Sequence, residues 1–365
     1  MTFSKRLISA VAVVALLLAA CGGGAGEATT TTTSGPTTTT LPAPEAMQIA
    51  YRLEAGKSYT FELEMNQTME MTTTGDAAAL AEEDLPGEMK MIVSGPTQVT
   101  YAIADGPEDG TYEITITSDL SGLDFDITID GETAEAGEIP DFAEVEPQAT
   151  TIVVDEHGKP IGADSEIPDD LFGGLFGDMG GMMGDMGGSM FNPAQFFGPA
   201  LTDDEVEVGD TWTETTEIPL MGEDAATSTV TSTIDRMEDL DGTPTMVIET
   251  VVANSEINFD LAELLLAMFE GFVDPEQASE EDLAMLEQFR DQMKFLFVVD
   301  PSETNMTSWF DPEAGMTLQS RLVGDTHMMM DVNVPDDETG EMMAFTLDMS
   351  ISQDMTYRLV DSAGA

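Results

Sequence analysis

Apolar residues recur at every second position through long stretches of this chain, and that period limits what it can fold into. Ser58 to Met71 reads SYTFELEMNQTMEM, which sets Tyr59, Phe61, Leu63 and Met65 on one face and Glu62 and Glu64 on the other. Thr111 to Thr117 does the same with Tyr112, Ile114 and Ile116, and Phe125, Ile127 and Ile129 continue the style. Successive side chains on a strand point to opposite faces, so this alternation predicts antiparallel strands with one dry and one wet face. Turn-forming pairs fall between the runs: Asp105-Gly106, Asp130-Gly131, Gly158 before Lys159-Pro160, Asp241-Gly242 and Ala314-Gly315.

The second half echoes the first. Gly56-Lys57-Ser58-Tyr59 opens one long strand and Gly209-Asp210-Thr211-Trp212 opens another. Gly110 to Ile114 is echoed by Pro244 to Glu249, and Asp155 to Gly162 by Asp311 to Leu318. Offsets of about 150 residues mean two copies of one supersecondary plan rather than a solenoid. The expected fold is mainly β, two similar antiparallel β-rich repeats forming curved sheets or a half-barrel. A helical hairpin over about 258–295 is expected in the second repeat: Phe259, Leu261, Leu264, Leu265 and Met268 make a stripe, Asp274-Pro275 reads as N-cap and N1, and Leu283, Leu286, Phe289 and Met293 follow at helical spacing.

The N-terminus carries an address. Lys5 and Arg6 precede an apolar run from Leu7 to Ala20, too short for a comfortable transmembrane helix and right for a secretory signal. Leu18-Ala19-Ala20-Cys21, with Gly22 to Gly24 after it, resembles the lipobox of bacterial lipoproteins. That resemblance implies cleavage before Cys21 and a diacylglycerol on its sulfur, so the membrane is the expected partner and the extracytoplasmic face the expected location. The organisation read from the sequence is a signal peptide at 1–20, a lipidated Cys and Thr/Pro-rich tether at 21–46, a first β repeat at 47–168, a flexible Gly/Met/Phe-rich segment at 169–204 and a second β repeat at 205–361. The Thr/Pro stretch from 25 to 46 has a contour of about 75 Å when extended.

Two short motifs add a further resemblance. Val206-Glu207-Val208-Gly209-Asp210-Thr211-Trp212 resembles the V-x-V-G-D-x-W signature of an uncharacterised two-repeat family of bacterial surface lipoproteins, and Leu53 to Tyr59 matches its L-x-x-G-K-x-Y opening. The Met-rich strands resemble the lipoprotein-carrier superfold, which implies a curved sheet half-wrapping helices around an apolar cavity. Neither resemblance implies a catalytic residue.

Composition excludes several functions. The chain has 71 Asp and Glu against 11 Lys and Arg, a net charge of -60. Removal of residues 1–20 takes Lys5 and Arg6 with it and leaves -62. Phosphate contacts need cations, so no nucleic-acid partner is expected. One Cys permits no disulfide framework. Asp126, Thr128, Asp130 and Gly131 begin like a calcium loop, but Gly137 stands where a bidentate Glu is needed. Histidine chemistry is limited to His157, in a turn, and His327, at the head of a strand. No nucleophile elbow, phosphate loop or zinc motif occurs, so the chain is read as a non-enzyme without a cofactor.

Methionine is the unusual enrichment, with 27 residues. Met179, Met182, Met183 and Met186 have a spacing that suits Cu(I), and His327-Met328-Met329-Met330 adds an imidazole. Against a copper site stands the use of Met as an alternating hydrophobe in the strands, at Met65, Met69, Met71, Met89, Met91, Met343 and Met349. The leading expectation is a lipid-anchored binding protein for a lipid or other hydrophobic ligand, with ligand-contacting residues undetermined. The alternative is a structural or interaction lipoprotein of the cell envelope.

Overall fold

The computed structural model describes residues 46–75, 87–108, 110–119, 121–133, 148–155, 198–199, 201–202, 204–218, 226–260, 294–335 and 342–364. In these the chain forms only strands. The first half contributes β1 (Met47–Gln48), β2 (Lys57–Gly75), β3 (Glu88–Asp105), β4 (Thr111–Asp119), β5 (Asp124–Ile129), β6 (Glu132–Thr133) and β7 (Gln148–Asp155). The second contributes β8 (Glu205–Val206), β9 (Thr211–Ile218), β10 (Ala226–Leu240), β11 (Thr243–Asn254), β12 (Ile257–Asp260), β13 (Lys294–Val299), β14 (Ser302–Asp311), β15 (Met316–Pro335) and β16 (Met342–Gly364). Every pairing is antiparallel.

Fourteen strands join in one open sheet. One edge is made by β9 and β12 and the other by β7 and β6, and among the described residues these edges do not pair with each other. The sheet is therefore not a closed barrel.

The duplication is visible in the pairing order. β2, β3, β4 and β7 form a meander, and β9, β10, β11 and β14 form the same one. Each repeat also splits its third and fourth strands in the same way. β4 and β5 run consecutively along β3, with a break at 120–123. In the second repeat β11 and β12 run consecutively, as do β13 and β14, the latter along β15. Proline sits at both breaks for the same reason, since it has no N–H to give a ladder. Pro96 lies on β3 between its contacts to β5 and β4, and Pro301 lies between β13 and β14. The last strands of the second repeat, β15 and β16, join the halves through a 19-pair ladder from β16 to β2.

The two sequence motifs have equivalent structural roles. Gly56 (φ 81°) donates its N–H to the Ile103 carbonyl on β3 at 2.8 Å. Gly209 (φ 100°) donates to the Ile234 carbonyl on β10 at 2.8 Å. In the second motif the Asp210 carboxylate also accepts from the Glu207 N–H at 2.8 Å. Both motifs are turns that start a repeat, and glycine supplies the left-handed backbone they require. Two of the Asp-Gly pairs behave as expected: Asp130 and Asp241 have φ of 50° and 54° and are followed by positive-φ glycines, the pattern of tight hairpins, whereas neither Asp105 nor Gly106 has a positive φ.

The helical-hairpin expectation fails at its ends. Asn258 to Asp260 belong to β12 and Lys294 and Phe295 to β13, paired as Asn258 with Val298 and Phe259 with Phe297. Phe259 satisfies both a period of two and a helical stripe, and the cross-strand partner decides between them. Residues 261–293 lie outside the described residues.

The period-two reading holds along β2. Phe61, Leu63, Met69 and Met71 are buried while Glu62, Glu64, Glu70 and Thr72 are exposed. Three clusters make the core. One, from β2, β3, β5, β15 and β16, includes Met69, Met71, Met89, Met91, Met328 and Ile351. A second joins Phe61, Tyr101, Ile114, Val154 and Tyr357. The third joins Ile49, Ile234, Met246, Ile248 and Phe310, and so brings the start of the first repeat into the second. Tyr51 seals that junction. Its ring meets Phe310 edge-on at 5.6 Å and its hydroxyl donates to the Pro199 carbonyl at 2.8 Å. Burial of the hydroxyl pushes its pKa far above the ordinary phenol value. The Arg52 N–H donates to the Gly315 carbonyl at 3.0 Å.

Candidate functional site: a methionine-lined sheet face

Register aligns the strand methionines. Met328 on β15 faces Met349 on β16, Met349 faces Met71 on β2, and Met71 faces Met89 on β3. The next row on the same face runs Thr326, Ile351, Met69, Met91 and Ile127. Two rows further on, Leu322, Met355 and Met65 continue it. These eight methionines thus share one face of four adjacent strands. Unbranched thioether chains repack around irregular apolar surfaces at low cost. The arrangement can hold an apolar body by shape rather than by directed bonds.

Between these rows lies a polar one. Thr304, Gly324, Gln353, Gln67 and Val93 are successive neighbours across β14, β15, β16, β2 and β3. Thr304, Gln353 and Gln67 are each 3% exposed. Sequence reasoning missed this row, because Gln67 and Gln353 look like lapses in an apolar alternation.

The opposite face carries the charge. Lys90 donates to Glu70 at 2.7 Å, and Arg321 grips Asp354 with two bonds of 3.0 and 2.7 Å. His327 lies on this face between two carboxylates, with Nδ1 2.7 Å from Asp300 Oδ2 and Nε2 3.0 Å from Asp348 Oδ1. These hydrogen bonds, Asp300 first, raise its pKa above the usual histidine value. A shallow depression of about 440 Å³ adjoins it, lined in part by Glu70, Asp300, Asp325 and Ser350.

This placement corrects the reading of His327. It stands within β15 rather than at its head, and alternation sends its ring to the charged face while Met328 packs in the core. The run His327 to Met330 therefore does not converge on one ion. Among the described residues no cluster of three His, Cys, Asp or Glu side chains has metal-binding geometry. Trp309 is half-buried. It lies across the sheet from buried Phe310 and donates its indole N–H to Glu238 at 2.9 Å, whose carboxylate also receives Arg236. Cys21, His157, Met179, Met182, Met183 and Met186 lie outside the described residues.

Neither protein-family models nor curated proteins provide a match to this chain. Among solved structures, the outer membrane protein OprG from Pseudomonas aeruginosa aligns at 7% identity, covering 86% of this chain and 100% of that one with a TM-score of 0.16. The InvG secretin domain β-barrel from the Salmonella SPI-1 injectisome aligns at 8% identity, covering 83% of this chain and 64% of that one with a TM-score of 0.14. Likeness at these scores carries no argument about fold or function.

Proposed function

We propose that the protein is a lipid-anchored extracytoplasmic binding protein that holds an apolar molecule against the methionine-lined face. The observation that carries this reading is the alignment of Met65, Met69, Met71, Met89, Met91, Met328, Met349 and Met355 on one face of an open sheet. Leu or Ile would fill a permanent core with better-defined rotamers, whereas Met suits a surface that must fit more than one shape. The lipobox at Leu18 to Cys21 and the Thr/Pro tether support anchoring outside the cytoplasmic membrane. Two acyl chains would be needed for a stable hold, since one gives only marginal binding. The body at -62 is repelled by anionic headgroups, and the anchor works against that repulsion.

The test uses residues 21–365 with Cys21→Ser. Native mass spectrometry should find co-purified apolar mass, and an environment-sensitive dye should be displaced by long-chain lipids. A chain that carries nothing and binds no dye removes the reading.

The competing reading is an envelope lipoprotein with no small ligand. Complete burial of Met69 and near-complete burial of Met91 favour it, since a filled core needs no guest. Its outcome in the same titration is the absence of saturable binding.

A further inference from the structure

The buried face is not uniformly apolar, and its polar part is concentrated at one place. Gly324 on β15 is buried and has Thr304 across from it on β14 and Gln353 across from it on β16. Thr326 lies two residues along the same strand and therefore on the same face. Gly324 contributes no side chain to this packed face, and three polar residues surround its position. Thr304 is 3% exposed and Thr326 5%, and the Oγ1 atoms of both have no hydrogen-bond partner among the described residues. A buried hydroxyl left without a partner gives up its hydration and gains no hydrogen bond in exchange. Two such hydroxyls beside one glycine are an expense that a packed core alone would remove by substituting valine, which has the same shape.

The surroundings restrict what could satisfy them. The row through Gly324 from β10 to β5 reads Val230, Val252, Thr304, Gly324, Gln353, Gln67, Val93 and Phe125. The neighbouring rows supply Thr326, Ile351, Met69, Met91 and Ile127 on one side and Met306, Leu322, Met355 and Met65 on the other. None of these side chains ionises. A charged head placed here would lose its hydration and gain no counter-charge. An uncharged head with ester carbonyls or hydroxyls would receive hydrogen bonds from both threonines, and its chains would extend over the methionines of β2, β3 and β16.

We propose that the position of Gly324, surrounded by Thr304, Thr326 and Gln353, is a subsite for the uncharged polar head of an amphiphile such as a neutral glycerol ester. This rests on the apolar-binding reading above and specifies its ligand class. The threonine hydroxyls donate to carbonyl oxygens, and the methionine rows take the acyl chains. Discrimination of ester from alkane then comes from the two threonines, and affinity for the chains comes from the methionines.

Dye displacement on residues 21–365 with Cys21→Ser, using 1,2-dioctanoylglycerol, hexadecane and oleate as competitors at pH 8, tests the subsite. Two hydrogen bonds predict that the wild-type surface prefers the glycerol ester to the alkane by about tenfold or more, with oleate weaker than the ester. A Thr304→Val/Thr326→Val variant should lose that preference while keeping its alkane affinity, and its thermal unfolding should occur at the same or a higher temperature. Gly324→Val, which fills that position and leaves both hydroxyls, should lose the same preference and guards against a fold defect in the double variant. Equal binding of ester and alkane by the wild type overturns the subsite and leaves the apolar-binding reading standing, with a buried water as the partner of the threonines. An ester preference that survives both variants also overturns it. Failure of the wild type to bind either competitor overturns the apolar-binding reading itself.

Discussion

Tyr51 ties the start of the chain's folded part into the second repeat, and its truncation measures how much that junction is worth. The ring packs edge-on against Phe310, which is fully buried, and the hydroxyl reaches the Pro199 carbonyl. Tyr51→Ala removes a large aromatic side chain from the cluster of Ile49, Ile234, Met246 and Ile248. Truncation of a buried aromatic costs about 3–5 kcal/mol, of which the ring pair supplies about 0.5–1.5. Tyr51→Phe keeps the ring and strands the carbonyl, and should cost about 1 kcal/mol. Domain stabilities are about 5–15 kcal/mol, so the alanine variant should lose a large fraction of the total. Urea unfolding at 25 °C of residues 21–365 with Cys21→Ser, followed by tryptophan fluorescence, reads both. Trp212 packs against this same cluster and reports on it directly. A double variant with Phe310→Ala should fall short of additivity by about the ring-pair value. If Tyr51→Ala unfolds at the same urea midpoint as the parent, the segment is not built into the second repeat and the junction is wrong.

Other outcomes follow from the same geometry. Gly209→Ala should cost about 1–3 kcal/mol in urea, because φ is 100° while the added methyl meets nothing within 4 Å, so the loss is backbone strain alone. His327→Asn should narrow the stability margin at pH 5.5 and have no effect at high pH: the folded pKa is raised, so the pairing with Asp300 and Asp348 stabilises fully below the unfolded pKa and is lost as pH rises through the folded one. Both partners are exposed, which limits the effect to about 0.2–1 kcal/mol, measured as the midpoint difference between parent and variant at the two pH values. Raising NaCl from 0.1 to 1 M should increase the urea midpoint, since screening relieves self-repulsion in a body at -62. A falling midpoint would contradict that. Cu(I) titration under reducing conditions should show no saturable binding that a Met179/Met182/Met183/Met186→Leu variant abolishes.

The sheet was legible where alternation and turn chemistry act locally. Tyr59 to Met71 announces a strand with a dry and a wet side, and Asp241-Gly242 announces its hairpin, because both depend on residues close in sequence. The paired openings at Gly56 and Gly209 revealed the repeat for the same reason. Pairing of β16 with β2 was not legible, since nothing local sets Met349 opposite Met71. The polar row was hidden by its own composition: Thr304, Gly324, Gln353 and Gln67 each read as a weak strand residue, and only register puts them side by side. Phe259 shows the converse limit, because a short apolar run fits two periods until a partner such as Phe297 fixes one.

The claim that matters most is that the methionine-lined face takes an apolar guest. Native mass spectrometry of residues 21–365 with Cys21→Ser, purified without detergent, tests it most directly. The account predicts a population heavier than the polypeptide by the mass of an apolar molecule, released by organic solvent. A spectrum containing only the bare chain, unchanged after incubation with neutral lipid, would contradict it.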